Sequence, residues 1–288
     1  MALCNEPVLK KIKTEQIVDY PVDFIKSFRN LNDANYDTQL NGLRETPDSL
    51  HCWICGVEKN IKTLKIKDFD IFDDGLRGHQ VCGLRCDSEK PHFIGLKVAG
   101  RWWNIEEILS SKSNPRNGPM EIKTLGDRLL LSVLNTIVYN QHERASEEPM
   151  FESHPSNEAG KIMWQSRKAV GFYTVKKKGK LISHFSPEVW EMNMLDTIFV
   201  RKDYRSKGLA KQMVEDFIDD FPKEYIGFSY PLTVPLTSIC FDILKRREDD
   251  RDRVWECREP VGMHGRINLW RSLKADKMLK STKSVSVS

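Results

Sequence analysis

Arg205-Ser-Lys-Gly-Leu-Ala210 places two cations, a glycine and an alanine within six positions, between an apolar run that ends at Val200 and an amphipathic one that begins at Leu209. Those residue types at that spacing suit anion chemistry. The first N–H groups of a helix have no intrahelical partners and point out of its N-terminal end, where the helix dipole adds partial positive charge. Gly208 has no Cβ to hold a phosphate away from the backbone, and Ala210 keeps the first helical turn slim. Arg205 and Lys207 add charge. A diphosphate lying across a helix end fits such a stretch.

A strand, a loop and a helix must position it. MLDTIFV (194–200) is mostly apolar and β-prone. After the loop, Leu209, Ala210, Met213, Val214, Phe217, Ile218 and Phe221 fall on one helical face, and Lys211, Gln212, Glu215, Asp216, Asp219 and Asp220 on the other. YIGFSY (225–230) reads as the next strand, and Pro231 and Pro235 set off a short helix from about Thr237 to Arg247. DRVWECREP and GRINLWRSL supply two last strands.

Upstream, Thr124-Leu-Gly-Asp127 resembles a capping box, and Leu130, Val133, Leu134, Ile137 and Val138 continue at helical spacing to about Glu147-Glu148. AVGFYTV (169–175), KKKGK and LISHF read as a β-hairpin with Gly179 in its turn. HFIGLKVAGRWWNIEEI (92–108) reads as two strands around Ala99-Gly100. Residues before 95 keep no period. Ser110–Pro119 has the composition of an exposed loop and marks a boundary. The expected division is an N-terminal α/β region of unassigned role (1–115), a strand-loop-helix domain (120–273) and a disordered tail (274–288).

The pattern Arg205-x-x-Gly208-x-Ala210 after a strand resembles the pyrophosphate loop of the GCN5-related N-acetyltransferase (GNAT) superfamily, and the order of elements from about 120 to 273 agrees. The resemblance implies an α+β fold, a GNAT-like mixed sheet flanked by helices, with the N-terminal α/β region as an extension or second domain. It implies acetyl-CoA as cofactor, its diphosphate on Arg205, Ser206, Lys207, Gly208, Leu209 and Ala210 and its pantetheine arm along Ile198, Phe199 and Val200. Transfer to an amine needs a base and an acid for the leaving thiolate. Asp196 is the carboxylate of the strand before the loop, and in a dry setting its pKa would rise; the plainer reading is a carboxylate bonding backbone at a strand start. The family's acid is commonly a tyrosine of the helix that here reads TSICFDILKRR and contains none. Cys240 and Asp242 are weak substitutes; Tyr230, just ahead of that helix, is a further candidate, and the missing tyrosine weighs against a standard enzyme.

Four further blocks, GRWWNIEEI, TLGDRLLLSVLNTIVY, KAVGFYTVK and LDTIFVRKDYR, together resemble the soluble lamin-associated protein family, or family with sequence similarity 169, most closely its B branch. That resemblance implies a nuclear setting and a nuclear partner. Two functions follow: an acetyl-CoA-dependent N-acyltransferase for a protein or small-amine acceptor, or a non-catalytic nuclear interaction protein on the same fold.

Cys52-Trp-Ile-Cys55-Gly56 has the shape of a zinc knuckle, and Cys82-x3-Cys86 offers a second pair, with His51 and His79 as spare donors. The second gap departs from the common templates, so no metal is assigned, and four reduced thiols are the alternative. Seven cysteines, an odd number unevenly spaced, suit a reducing compartment, nuclear or cytoplasmic. With 45 basic against 41 acidic residues, the net charge of +4 argues against nucleic acid as a specific partner. The most apolar run, Leu129–Tyr139, is too short and too interrupted to span a bilayer.

Overall fold

Every residue from Ala169 to Val175 is buried, the mark of a strand covered on both faces, and that strand is the spine of the larger sheet. The computed structural model describes residues 19–25, 46–72, 80–112, 116–183, 186–258 and 265–285. Within them the sheet has seven strands, in the order β15-β14-β13-β12-β9-β8-β7. They are β7 (Gly118–Glu121), β8 (Ala159–Gln165), β9 (Lys168–Lys176), β12 (Asn193–Val200), β13 (Ile226–Ser229), β14 (Val254–Cys257) and β15 (Arg266–Asn268). The β12–β13 and β13–β14 pairs are parallel and the rest antiparallel. A mixed sheet flanked by helices is what the sequence led one to expect.

One face carries the helices Leu209–Asp220, Val234–Arg246 and Leu269–Val285. Met213, Val214, Phe217 and Ile218, the predicted stripe, pack with Tyr173, Phe228, Ile243 and Leu244. Polar bonds fix the first of these helices on the sheet. The Tyr173 hydroxyl donates to Asp216 Oδ2 at 2.5 Å, and the Lys161 ammonium bridges Asp216 and Asp220 at 2.9 and 2.7 Å.

The opposite face is covered by a helix that opens at Leu125, where Thr124 and Asp127 form the expected capping box. It continues as a π-helical stretch, Val133–Glu143. Beyond it lies a four-stranded antiparallel sheet of β3 (Lys65–Asp70), β4 (Gln80–Arg85), β5 (Phe93–Val98) and β6 (Arg101–Asn104). Phe69, Val81, Leu96 and Trp103 from this sheet share one apolar cluster with Leu130, Ile137, Phe172 and Phe199. A short hairpin, β1 (Ser49–His51) with β2 (Glu58–Asn60), packs through Leu50 and Cys52 against Leu84, Ile94 and Trp102.

Several local expectations are corrected. The lysine-rich turn does not join two paired strands: β9 pairs with β8 and β12, while β10 (Leu181–Ser183) pairs with β11 (Ser186–Val189). The loop predicted through Pro119 ends earlier, because Gly118–Glu121 becomes an edge strand beside β8, itself unpredicted. A helix runs through the tail expected to lack structure from Lys274. Leu269 and Leu273 are buried, Trp270 stacks on Phe241 at 5.3 Å, and the Lys277 ammonium lies 3.3 Å from the centre of the Phe241 ring. Residues 286–288 lie outside the described set. Among the described residues no helix is long and apolar enough to cross a membrane.

Candidate functional site

Two parallel strands that run together and then separate create the central feature. β12 and β13 pair over Asn193↔Ile226, Met194↔Gly227 and Leu195↔Phe228 and no further. At the fork the Ser229 hydroxyl donates to Asp196 Oδ1 at 2.9 Å. Past it, β12 continues for several residues with its other edge still held by β9 through Ile198↔Tyr173, Phe199↔Phe172 and Val200↔Gly171. An extra β12 residue between Leu195 and Ile198 breaks the register with β9. Such a bulge increases local twist and re-aims the strand.

The gap opens into a cavity of about 650 Å³. Ile198 and Val200 line it from the side of the Leu209–Asp220 helix, and Phe199, Tyr139 and Phe151 from the opposite side, so the space reaches both faces of the sheet. Arg205, Ser206, Gly208, Leu209 and Ala210 form its rim at the helix N-terminus, and Pro235, Leu236 and Ser238 form the far wall. Eight of the nine residues that the sequence assigned to the cofactor therefore border one cavity. The ninth, Lys207, does not line it; its ammonium donates to the Asp203 carbonyl at 2.9 Å and lies over the Tyr204 ring.

The loop has the geometry an anion needs. Gly208 is the N-cap of the helix, in the left-handed region with φ 78°, and a Cβ added there would meet nothing within 4 Å. The first bond closing the helix runs from the Gln212 N–H to the Gly208 carbonyl at 3.0 Å. The N–H groups of Leu209, Ala210 and Lys211 precede that bond and point out of the helix end. Arg205 holds the turn together by donating from Nε to the Val200 carbonyl at 2.9 Å.

A buried carboxyl braces this loop from behind. Glu143, the last residue of the π-helical stretch, accepts the Lys202 N–H at 2.6 Å and lies 3.9 Å from the Arg205 guanidinium. Burial raises its pKa above the usual carboxylate range, against the Lys202 N–H and the neighbouring arginines and lysine. Tyr139, one helical turn earlier, donates its hydroxyl to the Pro149 carbonyl at 2.7 Å, and burial pushes its pKa up to about 12.

Neither residue assigned to proton transfer lines the cavity. Asp196 occupies the fork, bonded to Ser229 and 3.7 Å from the Lys176 ammonium, so its oxygens hold the strands where they diverge. Tyr230 is half exposed, with the Arg258 guanidinium over its ring. Cys240 is buried under the helix face, where burial raises its thiol pKa to about 12. The lining includes other polar residues, unmarked by any motif: Tyr204, Thr233, Ser238, Tyr139, and Glu148, whose carboxylate accepts the Ala145 N–H at 3.3 Å. Glu148 and Tyr139 arrive from a segment some 60 residues before the loop, which local spacing cannot reveal.

The cysteines divide differently from their sequence pairs. Cys52, Cys55 and Cys86 converge, and the fourth member of the group is His92, not Cys82. Cys82 lies within β4 opposite Asp68 and is exposed. His51 is exposed beside Glu58, and His79 lies outside the described residues.

The profile of the acetyltransferase (GNAT) family matches residues 136–234, the span from the π-helical stretch through the loop to the far wall of the cavity. FAM169B of Mus musculus is 30% identical over 260 residues, covering 87% of this chain and 76% of the relative. FAM169BP of Homo sapiens is 34% identical over 113 residues, covering 38% of this chain and 59% of that one. With that identity sustained over most of both chains, and with a GNAT domain at its centre, the chain belongs to the FAM169 family.

Proposed function

We propose that the protein binds acetyl-CoA in the gap between β12 and β13 and transfers the acetyl group to an amine. The observation that supports this reading most directly is the coincidence of three features at one cavity: diverging parallel strands, an open helix N-terminus, and a glycine whose missing side chain leaves the approach clear. The diphosphate sits against the N–H groups of Gly208–Lys211 with Arg205 beside it. The pantetheine arm, which carries two amides, lies along the edge of Ile198–Val200 that faces the gap, where the Val200 carbonyl is shared with Arg205 Nε.

In the transfer step the neutral amine nitrogen attacks the thioester carbonyl, the carbon–sulfur bond breaks, and the amine proton ends on the CoA thiolate. Glu148 is the carboxylate among the lining residues and the group we assign to take that proton from the amine and pass it to the thiolate. Tyr139, its hydroxyl proton held by the Pro149 carbonyl, shapes the wall of the cavity beside Phe151. The acceptor is an amine on a protein or a small molecule.

A second reading is favoured by the positions of Asp196 and Tyr230, both away from the cavity: an acyl-CoA-binding protein that transfers nothing and serves a nuclear partner. Calorimetric titration with acetyl-CoA tests the shared part. Gly208→Ala and Gly208→Glu both put a Cβ at positive φ in the phosphate's approach, and only the second adds charge, so binding weakened by the first and abolished by the second marks the diphosphate position. Saturable binding without thioester hydrolysis or amine transfer over a panel of acceptors favours the second reading. No binding by the unaltered protein rejects both.

A further inference from the structure

The group formed by Cys52, Cys55, Cys86 and His92 lies outside the acyl-CoA site and stands independently of it. Its four donor atoms all fall within 4.8 Å of one another. Cys52 Sγ is 3.9 Å from Cys86 Sγ and 3.1 Å from His92 Nε2, and Cys55 Sγ is 3.6 Å from Cys86 Sγ. A zinc tetrahedron with metal–sulfur bonds of about 2.3 Å has sulfur–sulfur edges of about 3.8 Å. The thiols are also too far apart for a disulfide, which needs about 2.05 Å. From this convergence we infer that the protein binds a structural zinc ion through three thiolates and one imidazole.

Both halves of the group are held by backbone bonds that suit ligation. On the first, the Cys52 N–H donates to the Val57 carbonyl at 2.9 Å and the Gly56 N–H to the Cys52 carbonyl at 2.8 Å. Gly56, at φ 72°, lets the chain turn back. The Cys55 N–H donates to Cys52 Sγ at 3.3 Å, which supports negative charge on that sulfur. On the second, the Cys86 N–H bonds the His92 carbonyl at 2.8 Å and closes the connection from β4 to β5.

The histidine supplies an independent observation. Its Nδ1 lies 2.9 Å from the Lys90 carbonyl. A carbonyl only accepts, so Nδ1 carries the proton and Nε2 presents its lone pair to the group, the arrangement metal-bound imidazoles adopt. Cys52, Cys86 and His92 are buried. Four protein donors leave no position for substrate, so the ion holds structure and performs no chemistry. Binding releases the three thiol protons and leaves a centre of net charge −1.

The experiment measures zinc in the full-length protein after gel filtration in metal-free buffer, then in cobalt-substituted protein, whose visible absorption reports tetrahedral thiolate ligation. The expected result is one zinc per chain and a tetrahedral cobalt spectrum. Cys55→Ser, at the exposed ligand, is expected to give up its metal to a chelator concentration that the unaltered protein withstands, while Cys82→Ser behaves as the unaltered protein. Unaltered protein that carries no zinc and gives no tetrahedral cobalt bands overturns the inference, as does equal metal loss from Cys55→Ser and Cys82→Ser.

Discussion

The two centres are built on opposite plans. In the cysteine centre the donor groups point at one another, three of the four are buried, and the hairpins that carry them close tightly. In the β12–β13 gap the groups point at empty space, and strand pairing stops where it could have continued. A closed set of donors suits an ion that stays, and an open set suits a ligand that comes and goes. Specific chemistry can therefore be recognised by what its groups face as well as by which groups they are.

The largest effect is expected at the closed centre. Stripping zinc with a chelator should lower the thermal midpoint by about 10 °C, the shift that a loss of about 4 kcal/mol gives in a chain of this size. A scanning measurement with and without chelator checks it, and an unchanged midpoint would break the contrast, because both centres would then be dispensable to the fold. At the open centre, Arg205→Ala should weaken acetyl-CoA binding about 10-fold to 100-fold by calorimetry, the range for losing one charge-assisted contact and a loop tie, while shifting the midpoint little.

Glu143→Gln sharpens the contrast within the open centre. The amide oxygen can still accept the Lys202 N–H, but the variant puts no negative charge beside Arg205. Acetyl-CoA affinity should rise a few-fold, about the effect of relieving one screened like-charge contact; a fall would show that the carboxyl acts by holding the loop in shape.

His154 tests a buried region that serves neither centre. Burial, and to a lesser extent Lys176 and Arg128, lowers its pKa to about 3. The unfolded chain binds its proton near pH 6.5, so between pH 6.5 and 3 the unfolded state holds more protons and stability falls as pH falls. Glu158, 3.9 Å away, has its pKa raised by burial and acts in the opposite sense. The informative quantity is the difference between two proteins: urea unfolding of His154→Gln should fall less steeply across that window than that of the unaltered chain. The smallest effect is expected at Cys82→Ser, which should leave stability and metal content unchanged.

The sequence was legible where a pattern is local. Met213, Val214, Phe217 and Ile218 repeat at helical spacing and form the predicted face, and MLDTIFV is the strand that ends at the loop. Legibility failed where the decisive partner is distant. The lysine-rich turn looked like a hairpin because nothing nearby shows that β9 prefers β8 and β12. Asp196 looked like a base because its strand was right, while its partner Ser229 lies 33 residues away. His92 was passed over for Cys82 because cysteine spacing invites pairing of like with like. Cys86-x5-His92 beside a strand start was the available signal, and it takes a fold to bring it against Cys52.

The edge of β12 that faces the gap has a consequence for self-association. A free strand edge is ordinarily a template on which another molecule can add a strand and begin a fibril. Here that edge is recessed, with the Leu209–Asp220 and Val234–Arg246 helices on one side and Tyr139 and Phe151 on the other. A slender chain of amides can enter such a slit, but a second sheet, some 10 Å thick with its side chains, cannot. The recess works as a gauge that admits a single extended ligand and keeps copies of the protein from propagating along the same bonds.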